Sequence, residues 1–141
     1  MAISYQTDGV EMPAIIKKEI TAWVKAVALS YGKRVGEIAY IFCSDEKILE
    51  VNHTYLQHDY YTDIITFDYT EGNKISGDLF ISLDTVATNA LQFGSSYTEE
   101  LHRVIIHGIL HLCGIDDKGP GEREKMEEAE NKALKEKSCL D

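Results

Sequence analysis

Cations are scarce in this sequence: 14 Lys and Arg stand against 24 Asp and Glu, for a net charge of −10. That deficit excludes broad, nonspecific binding to nucleic acid or to an anionic membrane, while leaving room for a local basic groove. It is also uneven, because Asp59, Asp63, Asp68, Glu71, Asp78, Asp84, Glu99 and Glu100 are accompanied over residues 59–102 by Lys74 as the only full cation. Cysteine is sparse too. Cys43, Cys113 and Cys139 form an odd set with no C-x-x-C spacing, which excludes a disulfide framework, suits a reducing compartment and makes a cytoplasmic protein the expectation. No apolar run reaches the roughly 18 residues that span a bilayer, and the start lacks the basic-then-apolar pattern of an export signal, so no membrane partner is expected. Repeats, low-complexity tracts and Pro/Gly/Ser-rich linkers are missing as well, and residues 1–141 are expected to form one domain. A chain of this length removes roughly 65–70% of its unfolded surface on folding, so it needs no metal for stability, and a metal site would signal function.

What is present is a mixture of helical and strand patterns. Ile16, Ile20, Trp23, Val24, Val27 and Tyr31 recur at helical spacing behind Pro13 and stop at Gly32. Residues 35–43 read as a buried strand and residues 45–56 as a short helix. Residues 64–67 and 79–81 are β-rich on either side of a Glu71-Gly72-Asn73 turn signal and are expected to pair as a hairpin. Residues 82–93 form a further helix stopped by Gly94, and Ser96 with Glu99 matches a capping box that opens a long helix to about Leu112. Gly114 stands at a left-handed terminating position, and Pro120 opens a last helix with Met126, Glu130, Ala133 and Leu134 on one side. The expected fold class is α+β: a small mixed sheet of about four strands packed by about five helices, with the helix over 97–112 buried at the centre.

That central helix is apolar nearly all round except for a stripe of Glu100, Arg103, His107 and His111 at offsets of three and four. Two histidines at i and i+4 lie one turn apart on one face, where their ring nitrogens can converge on one ion about 2.0–2.1 Å away. Gly114 then turns the chain and Asp117 follows, giving His-x3-His-x2-Gly-x2-Asp. This is the spacing of the metzincin zinc proteases, except that Gly108 stands where they carry the Glu that serves as general base. The ligand half of the motif is present and the peptidase half is not. Two imidazoles and a carboxylate predict one zinc ion per chain on His107, His111 and Asp117, with the fourth position open as in catalytic sites. Asp116 is adjacent and can replace Asp117, whereas Cys113 lies about 200° around the helix from His111 and belongs with the core.

At these residues the chain resembles the YbeY family of bacterial rRNA maturation factors, metal-dependent endoribonucleases acting on single-stranded RNA. The run from His107 through Gly108, Leu110, His111, Leu112, Gly114 and Asp116 to Asp117 is similar to the family's HGxLHLxGxDH, including the Gly after the first His. Asn52, Tyr55, Asp59 and the run over 62–67 look like its second motif, and residues 77–82 like its third. Glu100 and Arg103 before the histidines, and Met126 with Glu130 after them, also fit. The chain departs from the pattern where Asp117 replaces a His, Leu56 an Arg, His58 a Lys and Tyr61 a Pro. The resemblance implies processing of the 3′ end of small-subunit ribosomal RNA and ribosome quality control. It also implies ribosomal RNA, the small ribosomal subunit and ribosome-associated proteins as partners, with no DNA.

For such chemistry, zinc lowers the pKa of a bound water toward about 7 and polarises a phosphoryl oxygen, so His107 and His111 count as catalytic as well as metal-ligating. Arg103, one turn before His107, is either a phosphate contact through its paired N–H donors or a structural ion pair with Glu100 or another carboxylate. His58 is a candidate second phosphate donor. Asp63 and Asp78 either orient a ligand imidazole or cap their own turns. Two alternatives of other classes stand beside the nuclease: a metzincin-like zinc hydrolase of peptides or another substrate, and a non-catalytic ribosome-binding protein that retains the metal.

Overall fold

The computed structural model describes residues 2–56, 62–115 and 119–140, with backbone alone for Leu56 and for residues 138–140. Four strands and five helices follow one another as β1 (Ala2–Asp8), α1 (Lys17–Ser30), β2 (Arg34–Cys43), α2 (Asp45–Leu56), β3 (Ile64–Asp68), β4 (Lys74–Ser82), α3 (Leu83–Phe93), α4 (Tyr97–Leu112) and α5 (Glu122–Leu140). This is the α+β architecture the sequence leads one to expect. The sheet runs β1-β2-β4-β3, with β1/β2 and β2/β4 parallel and β3/β4 antiparallel across the Glu71–Lys74 turn.

Side-chain alternation sends the residues of β4 to two different layers. Ile75, Leu79 and Ile81 enter the main core with Ile38, Tyr40 and Phe42 of β2, beneath α1, α4 and α5. Phe80 faces the other way and joins Phe67, Ile65, Ile48 and Val51 under α2. Trp23 of α1 is fully buried, and its indole N–H donates to the Ala133 carbonyl of α5 at 2.8 Å, tying the first helix to the last. Tyr40, also buried, donates to the Ile105 carbonyl at 3.0 Å and pins α4 to the sheet.

Three boundaries differ from the sequence expectation, each for a local reason. β4 begins at Lys74 rather than at residue 79, because its parallel ladder to β2 already starts at Arg34↔Lys74. Helix α1 begins at Lys17, with Ile16 extended at its N-cap, rather than behind Pro13. Helix α5 begins at Glu122 rather than at Pro120, because Gly121 intervenes at φ +78°, a left-handed turn no helix can include.

Candidate active-site cleft

Helix α4 places the site. The Ser96 hydroxyl accepts the Glu99 N–H at its start, and Gly114, at φ +99°, ends it by donating to the His111 carbonyl at 3.0 Å. Leu101, Val104, Ile105, Ile106, Ile109, Leu110 and Leu112 bury the helix in the core and leave the polar stripe a single outlet. Glu100, Arg103, His107 and His111 all line a cleft of about 850 Å³. Its other walls come from residues 62–66 at the β3 edge of the sheet, Asn52 of α2, Asn89 and Phe93 of α3, and Met126 and Glu130 of α5.

Glu130 is the hub of this cleft, and it arrives from 23 residues beyond His107 in sequence. Its Oε2 lies 2.6 Å from His107 Nδ1, and its Oε1 accepts from Arg103 Nη1 at 2.9 Å. Arg103 Nη2 donates to Asn131 Oδ1 at 2.8 Å. Arg103 is therefore ion-paired, with Glu130 rather than Glu100, while a third of its side chain stays exposed. With the proton on Nδ1, His107 donates to Glu130 and its Nε2 carries the lone pair. In the sequence Glu130 falls on the apolar side of the last helix, and its signals are a carboxylate in line with Met126 and Ala133 and its fit to the family pattern, neither of which names a partner.

Asp63 joins this group on the cleft wall, where burial pushes its carboxyl up against the opposing pull of His107 and of nearby backbone N–H groups. Glu100 is likewise raised by burial and by Asp63, with Arg103 pulling it down. Asp78 lies elsewhere. The alternation that carries Leu79 and Ile81 toward α4 turns Asp78 with Phe80 to the far face, where it accepts from the Tyr69 hydroxyl at 3.2 Å. Cys113 packs against the main core, and burial pushes its thiol up to about 11.

Gly108 has a packing explanation of its own. A Cβ there would stand 2.9 Å from Ile64 Cδ1 and 3.1 Å from Leu79 Cδ2, so this position faces the sheet and not the cleft. A Glu at 108 would push its Cβ into the ends of the Ile64 and Leu79 side chains and start toward the sheet. His58, Asp116 and Asp117 lie outside the described residues, and so does the side chain of Leu56 at the end of α2. Among the described residues, no three His, Cys, Asp or Glu side chains are grouped to hold a metal ion. The donors that are described, two imidazoles one turn apart with a carboxylate on the Nδ1 of one, have the chemistry a borderline divalent cation takes. No described helix is long and apolar enough to cross a membrane.

Imidazole, guanidinium and buried carboxylate groups gathered along one cleft of an α+β fold are the equipment of a hydrolase. The chain belongs to the endoribonuclease YbeY family, whose sequence pattern matches residues 2–138. It is 78% identical over 134 residues to a Bacteroides thetaiotaomicron protein named Endoribonuclease YbeY, covering 95% of this chain and 98% of that one. A Phocaeicola vulgatus protein of the same name is 80% identical over 132 residues, covering 94% and 96%. A protein from Thermotoga maritima with a solution structure shares the fold at a TM-score of 0.66 and 26% identity, over 96% of this chain and 89% of that one. The relatives favour neither the peptidase nor the non-catalytic alternative.

Proposed function

We propose that the cleft is the active site of a zinc-dependent endoribonuclease that hydrolyses single-stranded ribosomal RNA in the cytoplasm during maturation of the small ribosomal subunit. One observation carries the assignment: the 2.6 Å contact between His107 Nδ1 and Glu130 Oε2. Metal-ligating histidines almost always donate their second ring N–H to a carboxylate, carbonyl or water, which fixes the tautomer that leaves a nitrogen lone pair for the ion. His107 and His111 are the proposed nitrogen donors and Asp117 the oxygen donor, with one ion per chain. When bound, zinc supplies Lewis acidity toward water and a phosphoryl oxygen.

The remaining work falls to the chain's own side chains. Glu130 holds the His107 ring with one carboxylate oxygen and the Arg103 guanidinium with the other, so both have a fixed partner before substrate arrives. Arg103 spends two donors of its five-donor fork on Glu130 and Asn131, and the exposed remainder is the proposed phosphate contact. Gly108 lets α4 pack close against Ile64 and Leu79, on the helix that carries the stripe. A general base is absent from position 108 for the same reason, which disfavours a peptidase of the metzincin kind.

The test compares cleavage of labelled single-stranded RNA, the same RNA in a duplex, and casein. Single-stranded RNA alone is the expected substrate, and His107→Ala and His111→Ala are each expected to lose about a hundredfold or more in rate. Cleavage of casein instead of RNA, or RNA cleavage at the parent rate in both histidine variants, would overturn the assignment.

A further inference from the structure

Helix α3 has an apolar face that the core only partly uses. Val86, Ala90 and Phe93 recur at offsets of four and three, which places them on one side of the helix. Val86 and Ala90 are buried, yet Phe93 is 66% exposed and lines the same cleft as His107 and His111. An aromatic ring at a core-facing position, left in an open cleft, is covered when something fills the cleft.

The chemistry of the wall says what that is. The cleft also has uncharged polar lining: Asn89 stands one turn before Phe93 on α3, Ser95 follows two residues after it, and Asn52 comes from α2. The Ser95 hydroxyl is shut off from solvent and has no hydrogen-bond partner among the described residues. Asp63, Glu100 and Glu130 line the same cleft, and their negative charge repels a phosphate backbone. A single strand entering this cleft can meet Arg103 and Arg123 with its phosphates and the aromatic ring of Phe93 with a base.

We propose that Phe93 is a base-stacking platform, taking the face of one unstacked nucleobase of a single-stranded RNA while the strand reaches the histidines. The proposal rests on the nuclease assignment above and adds the residue that supplies binding without charge. Every base has a π-face, so the contact favours single strands over duplex without reading sequence.

The test titrates the intact protein with a fluorescent, uncleavable 2′-O-methyl single strand and with copies carrying one abasic position in turn, and measures KM and kcat on cleavable RNA. Phe93→Leu is expected to weaken binding about tenfold, within a range of about 5- to 150-fold for one stacked base, and to raise KM by a like factor with kcat within about twofold. Phe93→Trp keeps the parent affinity. Removing the stacked base costs the parent the same factor and costs Phe93→Leu nothing further. If the parent binds and cleaves single strands and Phe93→Leu does both equally well, the platform is wrong and the nuclease assignment stands. If the parent neither binds nor cleaves them, both fall.

Discussion

Glu130 is 8% exposed and satisfies two partners at once, one with each carboxylate oxygen. A glutamine offers one acceptor and one donor in place of two acceptors, so either Arg103 or His107 must face an amide N–H. Glu130→Gln is expected to cost about 1–2 kcal/mol, the low end for a charged hydrogen bond because Arg103 is partly exposed. It is expected to weaken zinc binding about 10- to 100-fold, as loss of an imidazole's carboxylate partner does elsewhere. Competition against a chromophoric chelator, beside urea unfolding, reads both; unchanged zinc affinity would detach Glu130 from the site. Glu100 gives a pH signature. Burial and the Asp63 charge raise its carboxyl above the ordinary value of 4.5, against the pull of Arg103. A raised folded-state value means the contribution to stability is complete below the ordinary value and is lost as pH rises through the folded-state value. Glu100→Gln removes that loss, so it should resist urea better than the parent at about pH 8, by a margin that shrinks toward about pH 5. A margin that grows on acidification would reverse the assigned sign.

Among the elements, α4 carries most of what was legible. Its cap at Ser96, its end at Gly114 and its polar stripe could be read directly, because hydrogen-bonding side chains at the start, a left-handed glycine at the end and a 3-4 spacing are local properties. The stripe's partner was not local. Glu130 meets His107 only because α5 packs across α4, and nothing in the spacing of either helix fixes that crossing. Asp63 and Asp78 looked alike as acids beside β-segments, yet the parity of β4 separates them. Counting two residues back from buried Ile81 and Leu79 puts Gly77, not Asp78, on the α4 side. Gly108 tests the packing of α4 directly. Gly108→Glu is expected to lower stability by about 3 kcal/mol or more, since it forces a charged side chain between α4 and the Ile64–Leu79 surface, and to gain no activity on casein. A folded, casein-cleaving variant would contradict the packing and reopen the peptidase alternative.

At the scale of the whole molecule, charge limits how RNA can bind. The chain carries a net −10, and its cleft sets Arg103 and Arg123 against Asp63, Glu100, Glu127 and Glu130. Two arginines can neutralise at most a few phosphates, so the slope of log affinity against log salt should have a magnitude of about 1.4, at about 0.7 per single-strand phosphate contact. A slope several times steeper, in an affinity titration with single-stranded RNA at varied salt, would require a basic surface outside this cleft. The most direct measurement of metal-dependent cleavage in the cleft is made on protein stripped with a chelator and reloaded. Zinc content and cleavage of single-stranded RNA should both be absent after stripping, both return at about one zinc per chain, and both stay absent in His111→Ala. Full cleavage by the stripped protein, or by His111→Ala without bound zinc, would contradict a metal-dependent site on these histidines.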